Sequence, residues 1–226
     1  MQNKSVSQTE ENYLKVIYKL DEKAEGKIST SSISEMMGIA PASVTDMLGK
    51  LSDKKLISYK KYQGVSLTPS GRKTAVMVIR KHRLWEHFLV EKLGLSWDEV
   101  HEIAEQLEHI RSEKLFDKLD AYLKFPKFDP HGDPIPDSNG NFTNTSAIPM
   151  SSCNLNGKYL ITGVADHSAE FLRYLTRTGM ILGCQFTVKE KQEYDNSFLI
   201  LKQGTKNELA VSNEIAKKLL VTKARD

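Results

Sequence analysis

Four of the six histidines fall between positions 82 and 109, and three of them alternate with glutamates at one-turn spacing: His82 with Glu86, then His101, Glu105, Glu108 and His109. On a helix turning 100° per residue, with His101 at zero, Glu105 lies near about 40°, Glu108 near about −20° and His109 near about 80°, so all four share one face. Ile103, Leu107 and Ile110 fall on the other side. Imidazole nitrogen combined with carboxylate oxygen suits first-row divalent cations. Glutamates crowded without interleaved lysine repel one another unless a cation sits between them. The pattern reads as a metal site drawn on two helices, and the alternative is a solvated polar face.

The elements before this region must position it. Tyr13, Leu14, Ile17, Tyr18 and Leu20 recur at helical spacing over residues 7–23, with Ser7 or Thr9 able to cap the start. Ser29, Thr30 and Ser31 open a short helix through Met36 that stops at Gly38. Pro41 begins another, running to Lys54 with Val44, Leu48 and Leu51 inward. Two strand-like runs follow, Leu56 to Tyr62 and Val65 to Thr68, separated by Gln63-Gly64, and Ser70 then caps a long helix from about residue 71 to Leu93.

Helix, short turn, helix and basic hairpin make a winged helix-turn-helix, whose second helix enters the DNA major groove while the wing touches phosphate. The charge distribution agrees. Lys50 to Arg83 holds ten Lys/Arg against one acid, Asp53, whereas Leu84 to Tyr122 holds ten acids against four bases. An anionic partner is expected first and cations second. At the recognition helix, Ala40, Pro41, Ala42, Ser43, Thr45 and Asp46 form the expected base-facing edge, small enough for close approach and with polar readout from Thr45 and Asp46. Lys50, Lys60, Lys61 and Tyr62 are expected on the phosphate backbone.

Beyond Leu95 the pattern predicts a helix from Ser96 to Arg111 carrying the His/Glu face, and another from Ser112 to Leu123. Five of the seven prolines then fall between Pro126 and Pro149, which reads as an interdomain linker. From Lys158 on, short strand-like runs (residues 159–164, 185–191, 198–202 and 208–211) surround one helix, Ser168 to Thr178, and suggest a small β-barrel.

The chain's 226 residues, 39% of them hydrophobic, fit one to three domains. No stretch approaches the roughly 20 apolar residues needed to span a bilayer, and the first residues lack a signal peptide's apolar core, so a cytoplasmic protein without membrane contact is expected. Cys153 and Cys184 are too few and too far apart for a disulfide framework or a zinc site. Trp85 and Trp97 read as packing residues, and His131 as structural.

Six segments together carry a family resemblance: T-E-E-N-Y-L-K-V-I-Y in the first helix, P-A-S-V-T-D-M in the recognition helix, L-T-P-S-G after the wing, R-K-H-R-L-W-E-H-F-L, V-H-E-I-A-E-Q-L-E-H, and H-G-D-P-I-P. Over essentially its full length the chain resembles the iron- and manganese-dependent repressors of the diphtheria toxin repressor type. The resemblance implies a mainly α protein with a small β portion. Residues 1–73 would form the winged helix-turn-helix, 74–125 a helical metal-binding and dimerisation domain, 126–150 a linker, and 151–226 an SH3-like (FeoA-like) β-barrel. It further implies a homodimer on palindromic double-stranded operator DNA, a metal corepressor, and no catalysis.

Carried over by position, His82, Glu86 and His101 resemble an ancillary metal site, and Glu105, Glu108 and His109 a primary one completed by Asn12, giving two sites per subunit. Glu105 stands where iron-type members carry cysteine, and Asn12 where members carry methionine or aspartate. An oxygen-rich site without sulfur favours Mn²⁺, with Fe²⁺ the alternative. An alignment with one gap adds His167 and Glu170 to the ancillary site. Two other functions stay open. A metal-independent winged-helix regulator would leave the His/Glu face solvated, and a helical dimetal enzyme lacks the Glu-x-x-His pairs and the general acid it would need.

Overall fold

The computed structural model describes residues 6–23, 27–60 and 63–224. Lys61 and Tyr62, expected on the phosphate backbone, lie outside the described residues. The chain divides into two compact units. Described residues up to His82, with Glu105–Lys118 and Pro136–Phe142, form the first, and Arg83–Ala104, Leu119–Ile135 and the residues from Thr143 on form the second.

In the first unit, α1 (Gln8–Lys23) begins with a capping box. The Glu10 amide donates to Ser7 Oγ at 3.3 Å and the Ser7 amide to Glu10 Oε2 at 2.7 Å. Ser29 caps α2 (Thr30–Met37) in the same reciprocal way with Ser32, and Gly38, at φ 67°, closes it in the left-handed conformation. After two further residues Pro41 starts α3 (Pro41–Asp53). The antiparallel pair β1 (Ile57–Lys60) and β2 (Gly64–Leu67) follows in the register Ile57 to Leu67 and Lys60 to Gly64. Tyr13, Leu14 and Ile17 of α1 pack with Ile33, Val44, Leu48, Leu51 and Val65, so α1 is the spine of this unit's core.

The helix α4 (Pro69–Leu93) starts against the hairpin. A Cβ on Gly71 would lie 1.9 Å from the Leu56 carbonyl oxygen, so that close approach requires glycine. The next helix departs from the sequence expectation. Instead of Ser96 to Arg111, α5 spans only Val100–Leu107. Ser96 opens a turn in which the Glu99 amide donates to its carbonyl, and after Leu107 the Ile110 amide closes a tight turn onto the Leu107 carbonyl at 3.2 Å. Lys81 Nζ donates to the Ile110 carbonyl at 3.1 Å, giving a partner to an acceptor just past the helix end. Glu108 and His109 thus sit beyond the helix rather than on its face. The helix α6 (Glu113–Tyr122) comes next.

In the second unit a six-stranded antiparallel sheet runs in the order β3 (Ile148–Pro149), β8 (Leu219–Lys223), β4 (Lys158–Val164), β5 (Gln185–Lys191), β6 (Phe198–Lys202), β7 (Glu208–Val211). The closed β-barrel expected from sequence does not form. The edge strand β3 is two residues long and ends in a proline that offers no N–H, so nothing joins it to β7. Register shifts at Ile161/Gly163 and Val188/Glu190 bend the open sheet. Phe171, Leu172 and Leu175 of α7 (Ala169–Thr178) and Ala216 of α8 (Asn213–Lys218) join its core. Among the described residues no helix is long and apolar enough to cross a membrane.

Candidate metal centres and nucleic-acid interface

A first cluster of ionisable side chains lies inside the first unit. Glu108 is fully buried just past the end of α5. His82 Nδ1 lies 2.6 Å from its Oε2, and Lys15 Nζ donates to its Oε1 at 2.6 Å. Lys15 also donates to Glu105 Oε1 at 2.6 Å. His109 Nδ1 lies 2.6 Å from Glu11 Oε2, and its Nε2 is 3.6 Å from Glu108 Oε1. One potential ligand atom each from His82, Glu105 and Glu108 fall within 4.8 Å of one another. On α1, one residue beyond Glu11, the Asn12 amide oxygen is buried and accepts no hydrogen bond from the described residues. An unsatisfied buried carbonyl-type oxygen costs about 1–3 kcal/mol unless something else engages it. That orphaned acceptor stands on the helix that also brings Glu11 and Lys15 to the cluster, and an amide oxygen fits a hard divalent cation.

His82 faces Glu108, with the expected primary set. Glu11 and Lys15, absent from the expectation, are part of the same cluster. Glu11 neighbours Asn12 in the T-E-E-N-Y run, and Lys15 lies one turn later, so their position on α1 was the available signal.

A second cluster lies in the second unit around Glu86, itself buried on α4. Its Oε1 is 3.2 Å from His101 Nδ1 and its Oε2 is 3.6 Å from His131 Nδ1. Glu86, Asp129 and His131, all buried, each bring a potential ligand atom within 4.8 Å of the others. The His131 Nε2 atom is 2.8 Å from the Trp97 carbonyl oxygen, which fixes the ring. Asp129 accepts the backbone amides of His131 and Asp133 at 2.8 and 3.0 Å. Gly132, at φ 88°, permits this turn to dock, since a Cβ there would stand 2.1 Å from the Thr162 carbonyl oxygen. His131 thus belongs to the Glu86 cluster, although the sequence reads it as a structural residue. The Asp129-Pro-His-Gly turn, within a stretch that its prolines mark as linker, was the missed signal.

Burial and the neighbouring carboxylates Asp133 and Glu86 push the Asp129 carboxyl up to about 7. Burial would lower His131, but Glu86 and Asp129 outweigh it and raise the imidazole to about 9. The His167 ring centroid lies 4.9 Å from that of His131, with Nε2 3.9 Å from Asp133 Oδ2. Glu170 is 84% exposed at its side chain and pairs with Arg173 at 3.7 Å, so it is not brought to the cluster.

Around α3, Ala40, Pro41, Ala42, Ser43, Thr45, Asp46 and Lys50 are exposed while Val44, Leu48 and Leu51 are buried. Thr45 Oγ1 donates to the Pro41 carbonyl at 3.0 Å, which fixes its rotamer. Lys60 is exposed at the end of β1. At the C-cap of α3, Lys54 Nζ donates to Glu10 Oε2 of α1 at 2.8 Å. The ammonium outweighs the burial of Glu10 and holds its carboxyl below the ordinary value.

These features define a class of protein: a winged helix-turn-helix whose first helix also carries part of a carboxylate and imidazole centre. Residues 5–65 match the family described as the iron dependent repressor N-terminal DNA binding domain, and residues 68–137 its metal binding and dimerisation domain. Residues 148–223 match the FeoA domain. The iron-dependent repressor IdeR of Mycobacterium tuberculosis is 35% identical over 128 residues, 57% of this chain and 55% of that protein, so the chain aligns with only about half the length of that relative. The HTH-type transcriptional regulator MntR of Geobacillus kaustophilus is 34% identical over 115 residues, 51% of this chain and 80% of that protein. A solved manganese-dependent transcriptional repressor in complex with manganese superposes with a TM-score of 0.84 at 32% identity, covering 95% of this chain and 99% of that one. The chain belongs to the iron- and manganese-dependent transcriptional repressor family.

Proposed function

We propose that this protein is a metal-sensing repressor that binds palindromic double-stranded operator DNA as a homodimer, with Mn²⁺ as corepressor and Fe²⁺ the alternative. The observation that carries the proposal is the double attachment of α1. Glu10 reaches the C-cap of the recognition helix, while the next residue, Glu11, bonds His109 of the Glu108 cluster and Asn12 after it carries a buried amide oxygen with no partner among the described residues.

Asn12, Glu105, Glu108 and His109, with His82 alongside, are the residues that would hold the ion. Asn12 contributes a neutral amide oxygen and the glutamates hard anionic oxygens, a set without sulfur that suits Mn²⁺. Once bound, the cation supplies a positive centre shared by α1 and the segment after α5. Glu11 orients the His109 ring, as an outer hydrogen bond to a ligating imidazole does. Glu10 and Lys54 carry the placement of α1 to the end of α3. In a dimer this would set two recognition helices about one DNA turn, or a multiple of it, apart. Ala40 to Ser43, Thr45 and Asp46 would face bases, and Lys50 and Lys60 phosphates. Exposed Leu93, Tyr122 and Phe125 supply apolar surface for a second copy. Glu86, His101, Asp129 and His131 form the proposed second metal site of each subunit.

Metal and DNA affinities would be reciprocally coupled. An operator selected from random duplexes by the Mn²⁺-loaded protein should be titrated at fixed salt in Mn²⁺ and in EDTA. Tighter binding in Mn²⁺ is the expected result, and equal affinity in the two would overturn the sensing function.

A further inference from the structure

Lys15 is only 5% exposed, an unusual place for a lysine unless it is paired. Its ammonium lies 2.6 Å from Glu105 Oε1 and 2.6 Å from Glu108 Oε1, between two oxygens that a bound cation would need. Glu108 is fully buried, with its other oxygen held by His82, so its charge has little access to water. A carboxylate buried in this way demands a nearby positive charge. Lys15 supplies one from the protein itself. It also stands on α1, three residues after Asn12 and four after Glu11, so the ammonium and the orphaned amide oxygen are carried by the same turn of the same helix.

We propose that Lys15 is a built-in competitor for the metal: its ammonium neutralises Glu105 and Glu108, and a divalent ion must displace it from both. The proposal rests on the reading of this cluster as a metal site and adds what sets its threshold. Two positive centres cannot share these oxygens at close range without strong repulsion, because the site is too buried for water to screen them fully. The flexible four-carbon stem lets the ammonium swing away, so the competition is reversible. Metal affinity is thereby reduced in wild type, and the protein responds at a higher metal concentration than its oxygen donors alone would set. The same contact keeps the metal-free fold intact by pairing Glu108.

The test compares full-length wild type, Lys15→Gln, Lys15→Met and Lys15→Arg for Mn²⁺ affinity by chelator competition, and for thermal midpoint in EDTA. The two neutral variants should bind Mn²⁺ at least tenfold more tightly than wild type, melt several degrees lower in EDTA, and gain more from added Mn²⁺. Lys15→Arg, with its permanent charge and bidentate fork, should bind Mn²⁺ no more tightly than wild type. Unchanged or weakened binding in Lys15→Gln and Lys15→Met would overturn the competition and leave Lys15 a support for the ligands. If the neutral variants cannot be purified without metal, tighter Mn²⁺ binding by Lys15→Arg than by wild type would overturn it. Absence of Mn²⁺ binding in wild type and all variants would instead remove the metal site itself, a result distinct from equal affinities across the set.

Discussion

Glu10 of α1 and Lys54 at the C-cap of α3 are joined at 2.8 Å by a pair whose carboxylate side chain is 7% exposed and whose ammonium side chain is 24% exposed. The same carboxylate accepts the Ser7 amide, so one side chain both starts α1 and holds the end of the recognition helix. Conversion of metal binding into DNA affinity would pass through this contact.

Replacing Glu10 with Gln should cost about 1–2 kcal/mol of stability at neutral pH, from a charge-assisted hydrogen bond that is only partly screened. The folded carboxyl is held below its ordinary value of 4.5. Its contribution is therefore complete above that pH and lost as pH falls through the lower folded value. Urea melts of the two proteins should converge under acid conditions. A difference that persists at low pH would show that the effect is not the ion pair.

Asn12 gives a signature with opposite signs. Asn12→Leu removes an unsatisfied buried oxygen and should raise the EDTA thermal midpoint, while weakening Mn²⁺ binding at least tenfold. Asn12→Asp adds an anionic donor and should tighten it. Isothermal titration alongside thermal melts reads both effects, and tight Mn²⁺ binding by Asn12→Leu would remove this residue from the ligand set.

Glu108→Gln should abolish the metal dependence of operator binding. The variant keeps a hydrogen-bonding group of similar size beside His82 and Lys15 but loses the charge. Fluorescence anisotropy at fixed salt should give the same weak affinity in Mn²⁺ and EDTA. Retained Mn²⁺ activation would place the effective site elsewhere.

Lys50→Ala and Lys60→Ala should each weaken binding to all duplexes alike. Each should reduce the slope of log affinity against log salt by about 0.9, the counterion release of one phosphate contact. Thr45→Val should instead alter sequence preference at one base step. A salt slope unchanged by either lysine substitution would take that lysine off the backbone.

In the second unit, both raised groups make the folded state retain protons that the unfolded chain releases. Asp129 moves from 3.8 to about 7 and His131 from 6.5 to about 9. Stability should accordingly fall as pH rises through these windows, with the His131 contribution present below pH 6.5 and lost on approaching 9. His131→Gln should flatten the alkaline half of the profile in metal-free urea melts. A wild-type profile that rises between those values would contradict the assignment.

Local rules made much of the first unit legible. Capping residues, Pro41 at the start of α3 and the inward spacing of Val44, Leu48 and Leu51 all act over a few residues, and the observed elements follow them. The placement of Glu108 and His109 was less legible, because it depends on where a helix stops. Treating residues 96–111 as one helix put Glu108 and His109 on a face that the chain leaves after Leu107. His131 was hidden for a different reason: its role comes from Glu86, 45 positions earlier, and no periodicity links a loop residue to a helix. The two-residue β3 and the strand β8 carry too little pattern to announce themselves, and the openness of the sheet follows from such an edge.

The early end of α5 has an electrostatic consequence. Peptide dipoles aligned along a helix leave about half a negative charge at its carboxyl end. Here that end is followed at once by Glu108 and His109, and cationic Lys81 already bonds the Ile110 carbonyl. The backbone therefore biases this corner toward positive charge independently of side-chain protonation, and part of that bias would survive the loss of either glutamate.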